Sequence, residues 1–265
     1  MSADLVFWYG LALKMALTAG IVVVASVAVE RSGPFLGALI AALPTAAGAA
    51  YIILAIEHPP SFIAASAVGT AAANAAVALF ALTYAVLAQR HGILLSLGTA
   101  TAVWFAAAAA LRMVDWAPAT ALALNAAVFA VTIPASARYR RAESLRAAVA
   151  RTRYDLPLRA GTAALVVAVV TTASHWIGPF ASGVLAVFPI VMGSFAVILH
   201  PRVGGQAAGA VYAHAQPALF GLALGFLAVH YLAEPLGAWL AFAVGLAVTM
   251  AWSGVLWILR ARQRR

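Results

Sequence analysis

Residues 61–88 read SFIAASAVGTAAANAAVALFALTYAVLA, a run with no charged side chain. Roughly 20 mostly apolar residues suffice to cross the hydrocarbon core of a bilayer as a helix. The run therefore predicts a transmembrane helix, and its midpoint carries one amide, Asn74. Runs of this kind recur along the chain, and nine spans are predicted: 5–29, 34–56, 61–88, 92–111, 117–134, 157–176, 179–199, 204–232 and 236–259. Polar or Gly/Pro punctuation separates them, as at Glu57-His58-Pro59-Pro60, Gln89-Arg90-His91-Gly92 and His200-Pro201-Arg202. Continuous apolar runs, most about twice the length of a barrel strand, argue against a transmembrane β-barrel.

The composition agrees. Of 265 residues, 65% are hydrophobic and 9% charged, and the mean hydropathy is +1.01. A soluble domain is about 45–50% apolar and about 25% charged, and much of its surface stays wet. A soluble enzyme, a nucleic-acid module and a disordered chain are excluded. The absence of cysteine excludes disulfides, thiolate metal sites and a cysteine nucleophile. The start, Met-Ser-Ala-Asp, lacks a positive n-region, so no cleaved signal peptide is expected.

The net charge of +9 reads as an orientation signal, because the cations lie between the apolar runs. Seven of the 16 basic residues fall between Arg138 and Arg159, and four more are Arg260, Arg262, Arg264 and Arg265. The loop 135–156 and the tail are both expected in the cytoplasm, and four intervening spans satisfy both demands. The N-terminus is then outside. The segment 136–155 is expected to lie as a short helix on the anionic inner leaflet.

An internal repeat is visible. Gly33-Pro34-Phe35 recurs 145 positions later as Gly178-Pro179-Phe180, and the same offset pairs Pro44 with Pro189 and Gly48 with Gly193. It also pairs Tyr9 and Lys14 with Tyr154 and Arg159. The offset then shortens to 142 at His58-Pro59 and His200-Pro201, and to 140 at Gly69 and Gly209. Five spans precede the second copy, so the copies are expected to cross the membrane in opposite senses. Inverted-topology repeats are a frequent plan of secondary transporters. The expected organisation is a first repeat at 1–134, a basic cytoplasmic linker at 135–156, and a second repeat with its tail at 157–265.

The string Gly178-Pro179-Phe180-x-x-Gly183, followed by Phe188-Pro189 and His200, resembles a family of poorly characterised bacterial multi-pass membrane proteins. The portion from Gly183 to His200 is also similar to the short GlpM-type membrane proteins associated with alginate production. The resemblance covers about two spans in each half, and the first half departs from it at Leu43-Pro44. It implies a bacterial inner-membrane protein and carries over no functional residue.

Polar groups inside a bilayer are costly and tend to face the bundle interior or a wet cavity. Asn74 and His214 align under the offset of 140, each near the middle of its span, with Gln216 beside His214. They are expected to form a midplane substrate site, with His214 titrating near neutral pH. The competing reading is interhelical hydrogen bonding, which is the expectation for Asn125. Pro44 with Gly48 and Pro189 with Gly193 predict two broken helices, since an interior proline removes one helical hydrogen bond. Half-helix N-termini attract anions, and Thr45 and Ser194 would add hydroxyl contacts. Lys14 and Arg159 read as interface anchors or symmetric gates, with Tyr9 and Tyr154 as interfacial aromatics.

No carboxylate falls at the centre of a span, which tilts the expectation toward a neutral or anionic solute. Glu57, His58 and Glu234 fall at one face, where an entrance role is open. His58, His91, His175 and His200 fall in loops, and none is expected to ligate a metal. No zinc-protease, Walker, dinucleotide or nucleophile-elbow motif is present, so no enzyme activity and no cofactor is expected. The expected protein is an all-α bundle in the bacterial inner membrane, with the lipid bilayer and a small solute as its partners and no nucleic acid. Its expected function is secondary transport or export of a small neutral or anionic solute, possible proton coupling included. The alternative is a non-transporting scaffold for envelope polysaccharide production or another membrane complex.

Overall fold

The computed structural model describes residues 3–31, 45–141 and 155–262, and every regular element among them is helical. In chain order these are α1 (Ala3–Arg31), α2 (Thr45–Glu57), α3 (Pro60–Leu87), α4 (Ile93–Leu111) and α5 (Pro118–Ala137). A 3-10 turn, Arg138–Arg141, follows α5. Then come α6 (Asp155–Ala186), α7 (Ile190–Leu236) and α8 (Ala238–Arg262). Five helical stretches among the described residues are long and apolar enough to cross a membrane. One of them runs from Asp155 to Leu236 and covers three of the expected spans. The first Gly-Pro-Phe motif, Pro44 and most of the basic linker lie outside the described residues.

Proline and glycine set the boundaries. Pro60 and Pro118 sit in the first turns of α3 and α5, where a missing N–H costs no intrahelical bond. Gly178 and Gly204 have φ of 78° and 82°, a region that L side chains avoid and glycine enters freely. The first bends α6 into a long leg, 155–177, and a short leg, 179–186. The second bends α7 into a short leg, 190–203, and a long leg, 205–236.

Two expectations change here. The single span at 179–199 is two pieces, because residues 187–189 are not helical. His175 and His200-Pro201-Arg202, expected in loops, lie inside the long leg of α6 and the short leg of α7. Pro201 removes only one N–H from the helical ladder, and the bend waits for Gly204.

The centre of the bundle is α3, antiparallel to the long leg of α7. The facing pairs run from Ala88 and Gly205, through Tyr84 and Tyr212, Ala78 and Gln216, and Asn74 and Leu219, to Ala64 and His230. The short leg of α6 crosses α3 where Gly69 meets the Phe180 backbone and Gly183 meets the Ser66 backbone. A Cβ on either glycine would collide with a main-chain carbonyl, so the helices close to this distance only without side chains. Thr70 Oγ1 donates to the Gly183 carbonyl at 2.7 Å. That fixes Tyr51 as the donor in its 2.7 Å bond to Thr70. On the far side α8 packs against α7, where a Cβ on Gly245 would lie 2.7 Å from the Gly225 carbonyl.

Pro217, inside α7, lacks the N–H that would serve the carbonyl of Ala213. Arg140 Nε donates to that carbonyl instead, at 3.1 Å. The cation after α5 thereby ties the 3-10 turn to the long leg of α7.

Candidate functional site at the helix break

The short leg of α6 ends at Ala186 and α7 begins at Ile190. Between them Pro189 adopts φ −76° and ψ 46°, outside the helical region. Short local bonds patch the turn: Phe188 N–H to the Leu185 carbonyl at 3.0 Å, and Gly193 N–H to the Pro189 carbonyl at 2.8 Å. Phe188 is held by aromatic contacts, its ring centroid 4.9 Å from Trp104 and 5.6 Å from Phe105.

The start of α2 reaches the same place. Ala46 packs in one apolar cluster with Ile190 and Val191. The N-termini of α2 and α7 thus meet at the break. They open on a cavity of about 330 Å³ whose wall includes Ala46, Val77, Phe188, Pro189, Tyr212 and Leu219. No described residue lining it carries a charge. A second cavity of about 190 Å³ lies across the break, beside Leu97, Thr162, Gly193 and Ser194. Phe188 and Pro189 border both, so the interrupted turn is the partition between them. The Tyr212 hydroxyl donates to the Met192 carbonyl in the first turn of α7. Each helix N-terminus carries the equivalent of roughly half a positive charge, so the large cavity combines apolar walls with positive backbone potential.

A buried amide layer lies next to it, across α3, α5 and α7. Asn74 Nδ2 donates to Asn125 Oδ1 and to the Leu219 carbonyl, both at 2.9 Å. Asn125 Nδ2 donates to the Ala71 carbonyl at 2.7 Å. Gln216 Nε2 donates to the Ala78 carbonyl at 2.9 Å, and its Oε1 accepts from Thr132 at 3.1 Å. Asn74 and Gln216 are both fully buried, and Asn74 Oδ1 has no hydrogen-bond donor. Val77 lies three residues from Asn74, and Leu219 accepts its bond; both line the large cavity.

The expected pairing of Asn74 with His214 does not form. His214 is exposed, and its Nε2 lies 3.1 Å from the Arg140 carbonyl. Two residues along an α-helix turn the side chain through about 200°, so with Gln216 facing α3, His214 faces away. Gln216 takes the place assigned to the histidine. Ser194 turns back onto its own helix, donating to the Val191 carbonyl at 2.7 Å, and lines the smaller cavity with Gly193. Gly48 lies in the first turns of α2 with open space around it. Thr45 begins α2, and its side chain lies outside the described residues.

The expected gate residues separate. Lys14 makes an ion pair with Glu57 at the end of α2. Arg159 instead stacks over Phe195, its guanidinium carbon 4.7 Å from the ring centroid. In the second half Asp155 pairs with Arg202, bidentate at 2.7 and 2.9 Å. Neither residue stood out in the sequence, because charges at span ends read as boundaries.

Around Glu57 the fold gathers further groups. His58 stacks on Phe62 at 3.8 Å between ring centroids and bonds Ser174 Oγ at 2.9 Å. Its ring lies 4.9 Å from that of His175. Burial, then His175, pushes the His58 pKa below the usual imidazole value; Glu57 pulls it up and Lys14 down.

Comparison with protein-family models, curated proteins and solved structures finds no match. The class of protein therefore rests on the chain itself: an all-helical protein with several helices of membrane-spanning length and apolarity.

Proposed function

We propose that this chain is a multi-pass protein of the bacterial inner membrane that transports or exports a small neutral or anionic solute by alternating access. The observation that carries the reading is the interrupted helix at 187–189, set between two cavities where the N-termini of α2 and α7 meet. Non-helical backbone at membrane depth is tolerated where it is buried in protein or lines a cavity. Broken helices of this kind form the substrate sites of many secondary transporters. The apolar lining without a carboxylate suits a neutral or anionic solute better than a cation.

In this reading the two halves are inverted repeats, within a nine-span chain whose N-terminus is outside and C-terminus cytoplasmic. The plan of α2, His58-Pro59 and α3 resembles that of the short leg of α7, His200-Pro201 and its long leg. The two long helices run antiparallel, as inverted copies would. The ion pairs fit the same plan. Lys14 with Glu57 and Asp155 with Arg202 each join the first helix of a half to the end of its half-helix, with the charges exchanged. They would latch the outer and inner entrances in turn. Asn74 and Gln216 would supply the polar contacts to the solute, and the unpartnered Asn74 Oδ1 would accept a bond from it.

The test is a thermal-stability screen of purified protein against small anions and neutral metabolites, with Asn74→Ala/Gln216→Ala beside the wild type. A ligand that binds only the folded state raises stability by RT ln(1 + [L]/Kd). The expected result is a ligand-specific rise in wild type that the double variant loses. A hit should then cross the membrane of loaded proteoliposomes. No response to any ligand and no flux would overturn the reading in favour of a scaffold.

A further inference from the structure

At one end of the bundle α1, α2, α3 and α6 bring together Lys14, Glu57, His58, Ser174 and His175. One carboxylate oxygen of Glu57 and one ring nitrogen each of His58 and His175 lie within 4.8 Å of one another. Among the described residues this is the one group of three such side chains so gathered. We propose that Glu57, His58 and His175 bind a divalent transition-metal ion, zinc by the chemistry of the donors. The inference does not rest on the transport reading.

The donor set is the first support. Two imidazoles and a carboxylate, with a fourth position open to water, make a common zinc environment. Calcium and magnesium prefer all-oxygen shells. The second support is an unsatisfied acceptor. Lys14 engages Glu57 Oε1, while Glu57 Oε2 is buried without a hydrogen-bond partner, 4.0 Å from His175 Nε2. A carboxylate oxygen left this way is costly, and a cation beside it removes the cost.

The third support is the state of His58. Ser174 has one hydroxyl proton, and it goes to the Thr171 carbonyl at 2.7 Å. Ser174 Oγ must therefore accept from His58 Nε2–H, at 2.9 Å. That tautomer leaves the lone pair on Nδ1, the form a metal needs. The Phe62 stack and the Ser174 bond hold the ring still, as outer-shell partners do for ligating histidines.

Zinc bonds of about 2.0–2.2 Å place tetrahedral ligand atoms about 3.4 Å apart. The site must close by up to about 1.4 Å. His175 can supply that movement, since its side chain is 52% exposed. Lys14 competes with the metal for the same carboxylate, which gives the proposal a directional consequence: removing the lysine charge tightens binding.

The experiment measures Zn²⁺ binding to the full chain, purified without a histidine tag, by equilibrium dialysis, with melting temperature recorded in parallel. A single ion per chain is expected, with no response to Mg²⁺. His175→Ala should weaken binding by at least about tenfold, as should Glu57→Gln, while Lys14→Gln strengthens it. His175 makes no hydrogen bond among the described residues, so its alanine variant keeps the fold. An unchanged melting temperature without metal verifies that. Absence of stoichiometric Zn²⁺ binding would overturn the proposal. So would equal affinity in His175→Ala, or binding lost on His91→Ala instead.

Discussion

α3 and α8 are nearly equal in hydropathy and opposite in position. Their best windows have mean hydropathies of 1.7 and 1.9, yet 72% of the first is buried inside the protein and 11% of the second. In water such a contrast would show as a polar face on the outer helix. In a bilayer lipid tails are as apolar as leucine, and hydropathy no longer separates inside from outside. Size does. α3 is built largely of Ala, Gly, Ser and Thr, which let other backbones approach. α8 presents Trp239, Leu240, Leu246, Val255 and Ile258 to its surroundings. The central helix is chosen for closeness and the peripheral one for bulk.

Substitutions that exchange these properties test the contrast. Gly69→Leu should be the most damaging, because its side chain would have to displace the Phe180 backbone. A loss above about 3 kcal/mol is expected, read as a collapse in the yield of folded protein from detergent. Gly245→Leu should come next, since its side chain would meet the Gly225 carbonyl and Val229 while Thr249 and Trp252 still hold α8 against α7. A lowered melting temperature with the rest of the bundle intact is expected, seen as early protease cleavage of α8.

Gln216→Ala should cost about 1 kcal/mol, since it removes the bonds to the Ala78 carbonyl and the Thr132 hydroxyl. Denaturant titration would measure it, and His214→Ala, on an exposed side chain, should cost less. Leu240→Ala, 51% exposed on α8, should change stability by no more than about 0.5 kcal/mol. If Leu240→Ala proved as costly as Gly69→Leu, the division by size would fail.

The break at Pro189 was legible, because a proline and a glycine at fixed spacing act on the local helical ladder. The bends at Gly178 and Gly204 were half legible: punctuation marked the first, while the second was placed a few residues early, at His200-Pro201. Asn74, singled out at mid-span, lies in a buried amide layer, but its neighbour across the helix pair depends on register and rotation, which neither hydropathy nor repeat alignment encodes. His214 and Gln216 differ by two positions and face opposite sides. The histidine cluster was invisible, because His58, in the turn between α2 and α3, and His175, in α6, lie more than a hundred residues apart.

The sequence by itself determined the helical class, the apolar stretches and the places where the chain must bend. These follow from side-chain transfer energies and from the backbone limits of proline and glycine, which act within a few residues. Only the tertiary structure decided that α3 is central, that Gln216 rather than His214 turns inward to bond α3, and that Lys14, Glu57, His58 and His175 share one end. Those facts depend on how helices of equal hydropathy rotate and cross, and in an apolar solvent that is settled by contact between backbones and side chains far apart in the chain.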